Sequence, residues 1–106
     1  MTLWEMTAGK AIMTGQQDIV ELNLKGGTFF WNAATTGTPT ITDVFVKSGK
    51  LDLRQSANER TITNTWIWPQ GLVDVRGVED LLTMPNITMV GSGGRILGKV
   101  PTDTIG

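Results

Sequence analysis

The chain has 106 residues, a formal net charge of −1, 40% apolar and only 18% charged residues, and no cysteine, histidine or tyrosine. Its length bounds it to one domain with a modest core and a stability of roughly 5–10 kcal/mol. The composition excludes disulfides and thiolate chemistry, removes the usual general base and commonest metal ligand, and offers no basic excess for nucleic acid and no basic run for a membrane surface.

"MTLWEMTAGKAIM" opens the chain. It is mildly apolar, but Glu5 and Lys10 interrupt it, it lacks a basic start, and no clean cleavage site follows. That argues against a signal peptide. Residues 1–17 read as an arm, with Leu3, Trp4 and Met6 as the side chains that would insert into a neighbour, or as a first edge strand. No stretch reaches the roughly 20 apolar residues of a bilayer span.

In "DIVELNLK", Val20, Leu22 and Leu24 fall on one face and Glu21, Asn23 and Lys25 on the other, which predicts a half-buried strand. Gly26-Gly27 predicts a two-residue hairpin turn into the aromatic strand "TFFWN". "NAATTGTPT" has loop chemistry. "TITDVFVK" predicts a more central strand, and "KSGK" a turn into "LDLRQ", a second hairpin. After the polar "SANER", "RTITNTWIW" is the clearest strand. Ile62, Asn64, Trp66 and Trp68 share one of its faces; Thr61, Thr63, Thr65 and Ile67 share the other. Pro69 cannot donate to a ladder, so the strand is expected to end there or continue only as an edge.

"GLVDVRG" predicts another short strand. "VEDLLTMP" has apolar residues at helical spacing, Val78, Leu81 and Leu82, which predicts a short helix near 77–84 stopped by Pro85. "NITMV", "GSGG" and "RILGKV" predict a third hairpin, and residues 101–106 a tail. Together these predict an all-β fold: a small β-sandwich or barrel-like domain of about seven short antiparallel strands. It would be a single unit over 1–106. Read this way, the chain shows no internal repeat.

Few motifs carry chemistry. "VGSGGR" lacks the helix and the Lys-Ser/Thr of a phosphate cradle, so it reads as a turn. Ser92 has no histidine to activate it. The "NIT" at Asn86 matches a glycosylation acceptor by chance frequency. Glu79 and Asp80 read as solvated charges near a helix start. Asp43 and Asp52 would face each other across the second hairpin, but the turn between them supplies no further oxygen ligands for calcium. No cofactor and no metal are expected.

The aromatic residues carry the strongest signal. Strand geometry puts Trp66 and Trp68 on one face about 7 Å apart. Three readings stand: a core pair, a protein interface anchored by indoles, or a ligand platform in which Asn64 and Gln70 grip sugar hydroxyls.

The "MTLWEM" start, the Thr/Gly/Asn-rich strands "TPTITDVFVKSG" and "RTITNTWIW", the absence of Cys and His, and the low charge resemble small bacteriophage virion proteins: minor capsid, decoration or tail components. The resemblance implies a β-rich structural protein made in the host cytoplasm and working in multiple copies in the virion, with itself or other virion proteins as partners. The expected function is therefore non-enzymatic assembly by protein–protein contacts. The alternative is a carbohydrate- or receptor-binding β-module that uses the tryptophans as a stacking platform for a glycan.

Overall fold

The structure is a computed structural model that describes residues 3–15, 18–33, 40–54, 59–78 and 81–98, with backbone only at 14, 15, 32 and 33. The strands are β1 (Leu3–Met6), β2 (Lys10–Gly15), β3 (Ile19–Leu24), β4 (Thr28–Ala33), β5 (Thr40–Asp52), β6 (Arg60–Asp74), β7 (Leu82–Thr83), β8 (Asn86–Met89) and β9 (Arg95–Leu97).

Every strand pair is parallel. The chain winds as a β-solenoid of about four turns, which overturns the antiparallel sandwich or barrel expected from sequence. β3 and β4 flank Gly26-Gly27 but do not pair with each other; β3 pairs with β1 and β5, and β4 with β2 and β5. "KSGK" lies inside β5, which runs through it without reversing. β8 and β9, on either side of "GSGG", both pair with β6. The three supposed hairpin turns are thus corners of successive coils.

An internal repeat underlies the winding. Each residue sits above its counterpart 18 residues away in the first rung and 21–23 residues away in the others. Stacking like on like then fills the interior. Ile19, Ile41 and Ile62 form one buried column. Leu22, Val44, Thr65 and Ile87 form a second, and Phe29, Leu51 and Val73 a third. A solenoid rung cannot bury its own apolar face; its neighbours do so for it.

The corners explain why strict alternation misjudged the faces. In β3, Ile19, Leu22 and Leu24 are buried, while Val20 is 51% exposed. The chain bends at Val20–Glu21, so two consecutive side chains point outward before the inward alternation resumes. The same bend recurs in β5 after Ile41 and in β6 after Ile62. Beyond it the interior side chains of β6 are Thr65 and Ile67, and Trp66 and Trp68 face out.

Pro69 does not end β6, which is paired on both flanks. The register between β5 and β6 shifts between Val46 and Ser48, giving β6 one extra residue around Pro69. Such a bulge leaves a position without a ladder bond, where the missing N–H of proline costs nothing. The expected helix near 77–84 is not formed. Two tight bonds, Val78 N–H to Val75 O and Leu81 N–H to Val78 O, turn the chain into β7, where Leu82 is buried. Glu79 and Asp80, and the tail 101–106, lie outside the described residues.

Candidate functional site

The outward column of β5 and β6 carries the aromatic residues. Phe45 lies directly below Trp66 in register. Their rings stack at 4.7 Å between centroids with planes 9° apart. That separation is the rung spacing itself, so the rings are stacked along the solenoid and turn their edges to solvent. Trp68 tilts against Phe45 at 6.3 Å, and the Lys47 ammonium sits 5.6 Å from its ring centroid. All three aromatics are half-buried on the outer surface, not in the core.

The two polar partners proposed for this platform part company. Asn64 sits at the next corner, in a column with Glu21, Asp43 and Asn86. Its Nδ2 donates to Asp43 Oδ1 at 2.9 Å, and its Oδ1 accepts from Asn86 Nδ2 at 3.1 Å, a polar ladder that occupies its amide. Gln70 lies on the far side of Pro69, over Ser48, and lines a different surface feature. Asp43 and Asp52 do not face each other, since both lie on β5 and Asp52 stacks on Asp74 instead.

At the N-terminal end, Leu3, Trp4 and Met6 form β1 over β3. Leu3 is 55% exposed, Trp4 packs edge-on against Phe29 at 5.6 Å, and Met6 is buried. A surface ion pair, Lys25–Glu5, ties this rung to the next and contributes little at such exposure.

A charged cluster that sequence reasoning missed lies on a third face. "LDLR" (51–54) and "VDVR" (73–76) are the same motif one coil apart. Asp52 and Asp74 stack, with both carboxylates fully covered. Arg54 binds Asp52 at 2.9 Å and reaches Asp74 at 3.1 Å; Arg76 binds Asp74 at 2.7 Å; Lys50 lies 3.6 Å from each carboxylate. The Arg76 hydrogen bond outweighs burial and holds the Asp74 carboxyl down at about 2. Burial pushes Asp52 up, but the Arg54 hydrogen bonds and the Arg54 and Lys50 charges together leave it below the usual carboxylate range. These carboxylates are engaged in holding rungs together and are poorly placed to exchange protons.

Arg60 is buried at one end of the core. Its two Nη groups donate to the Trp31 and Leu53 carbonyls at 2.8 and 2.6 Å, and its guanidinium lies 5.3 Å from the Trp31 ring centroid. Burial pushes its pKa down to about 10.

The remaining feature is a column of glycines at the corner between β3 and β4 and at the equivalent places inside β5 and β6. Gly49 stacks on Gly71, and the register continues to Gly27 and Gly9 in one direction. Gly9, Gly27 and Gly49 have φ of 84°, 79° and 89°. An open groove of about 500 Å³ follows this corner, lined by Thr28, Lys50, Pro69, Gln70, Leu72 and Arg95 around the glycines. Compared with protein-family models, with curated proteins and with solved structures, the chain matches none of them.

Proposed function

We propose that the protein is a non-enzymatic structural subunit that works in multiple copies through protein–protein contacts, as capsid, decoration or tail components of bacteriophage virions do. The outward Phe45–Trp66 stack with Trp68 carries this reading. A sugar platform must present an aromatic face to its ligand. Here Phe45 covers one face of Trp66, Thr88 is its register neighbour on the opposite side, and Lys47 sits over Trp68. What remains is an apolar rim of ring edges, which suits packing under another protein surface, where indoles are the strongest anchors.

A second surface supports the same reading. Among the described residues, β1 pairs only with β3 and β2 only with β4, so each keeps one edge of N–H and C=O groups without a strand partner. Leu3 and Ile12 are more than half exposed beside those edges. Such an edge takes up a further strand readily.

Light scattering on the eluting protein tests the proposal. An oligomer, or a complex with a shell or tail protein, is expected, and Trp66→Ser should dissociate it while leaving the far-ultraviolet circular dichroism unchanged. A monomer at all concentrations that also binds no virion component would overturn it.

A further inference from the structure

The groove along the glycine corner carries positive charge in a chain whose net charge is −1. Its floor is peptide backbone, because Gly27, Gly49, Gly71 and Gly93 bring no side chains to it. Lys50 enters from one side. It is 28% exposed and sits 3.6 Å from each of Asp52 and Asp74, carboxylates already held more closely by Arg54 and Arg76. With three cations around two carboxylates, that cluster keeps one positive charge. Arg95 enters from another rung, exposed, with no ion pair or side-chain hydrogen bond among the described residues.

Lys50 and Arg95 both register with Leu72, one on each side, so they stand two rungs apart. Two rungs are about 9–10 Å. Two cationic side chains rooted two rungs apart, in a trough open along its length, suit charges that recur along an extended polymer better than one compact anion. Between them, the Gln70 amide offers a donor and an acceptor while Pro69 and Leu72 offer apolar surface, and the Thr28 hydroxyl lies one rung beyond Lys50 on the same column. Hydroxyls, C–H faces and periodic carboxylates are together the chemistry of an acidic saccharide.

We propose that the groove over Gly27, Gly49, Gly71 and Gly93 binds an extended acidic saccharide, with Lys50 and Arg95 pairing its carboxylates and Gln70 and Thr28 its hydroxyls. This site is separate from the tryptophan surface and stands or falls without it.

Tetragalacturonate titrated into the isotope-labelled full chain, followed by amide chemical shifts, tests this. The expected result is saturable binding at low salt that weakens at physiological salt, with the largest shifts at Gly49, Gly71 and Arg95. Arg95→Gln, which leaves the Asp52–Asp74 cluster intact, should weaken binding about three- to fivefold, the size of one exposed charge pair. Gln70→Ala should weaken it as well. A neutral galactose tetramer should not bind, and hexaglutamate should bind more weakly. The proposal is overturned if tetragalacturonate does not bind, if the neutral sugar or hexaglutamate binds as tightly, if Arg95→Gln changes nothing, or if the shifts centre on Trp66 and Trp68.

Discussion

Gly49→Ala should be among the most damaging small substitutions in this protein, and the structure says why in separable parts. Gly49 has φ of +89°, a region where an L-residue costs about 1–2 kcal/mol. A Cβ there would also overlap the Gly27 carbonyl of the rung below and crowd the Gly27 amide nitrogen at 2.9 Å. That neighbour is backbone and cannot swing aside, so overpacking adds about 1–3 kcal/mol. The expected total is about 2–5 kcal/mol, a large share of a small domain's stability. Gly77 is the control. Its φ is +84°, but a Cβ on it would meet nothing within 4 Å. Gly77→Ala should therefore cost only the backbone part, about 1–2 kcal/mol. Urea unfolding of both variants, followed by tryptophan fluorescence, measures the difference. Equal losses would refute the close inter-rung approach. Gly9→Ala gives a second control, in the same column and with the same sign of φ but open space around its Cβ.

Other consequences can be checked in the same way. Thr65 Oγ1 is buried without a hydrogen-bond partner among the described residues, in the column of Leu22, Val44 and Ile87; Thr65→Val should stabilise by about 1 kcal/mol, raising Tm by about 4 °C. The Asp74 carboxyl is held at about 2, below its ordinary 3.8, so its contribution is complete above the ordinary value and is lost as pH falls from about 5 through 2. Because Arg54 and Arg76 are 36% and 54% exposed, screening cuts that contribution to about 1 kcal/mol; acid titration of stability should show wild type losing that much more than Asp74→Asn. Arg60→Met removes the donors that satisfy the Trp31 and Leu53 carbonyls, and should cost about 1–3 kcal/mol in thermal unfolding.

The all-β character was legible, because Val, Ile, Thr and Trp at period two between Gly-rich turns allow little else. The direction of the strands was not. A glycine at positive φ turns a hairpin or a solenoid corner equally well, and Gly26-Gly27 or Ser48-Gly49 carry no mark of which. The repeat was hidden by uneven spacing and by columns that conserve burial rather than identity, such as Leu22, Val44, Thr65 and Ile87. Three signals could have revealed it: the polar residues Glu21, Asp43, Asn64 and Asn86 two places after a buried apolar residue, the recurrent glycines, and "LDLR" against "VDVR". Ile62 was expected on the same face as Trp66 and Trp68, yet Ile62 is buried while the two tryptophans share an outer face. That face points outward because the bend after Ile62 resets the alternation.

Cysteine pairs test the parallel winding most directly, since no native cysteine competes. Asp43 and Asn64 are register partners in neighbouring rungs, about 4.8 Å apart and inside disulfide reach. Asp43 and Asn86 are two rungs apart and beyond it. The solenoid predicts that Asp43→Cys with Asn64→Cys oxidises to an intramolecular disulfide in the folded protein, while Asp43→Cys with Asn86→Cys stays reduced. It is contradicted if the first pair stays reduced while Asn23→Cys with Phe30→Cys, neighbours only across a Gly26-Gly27 hairpin, cross-links.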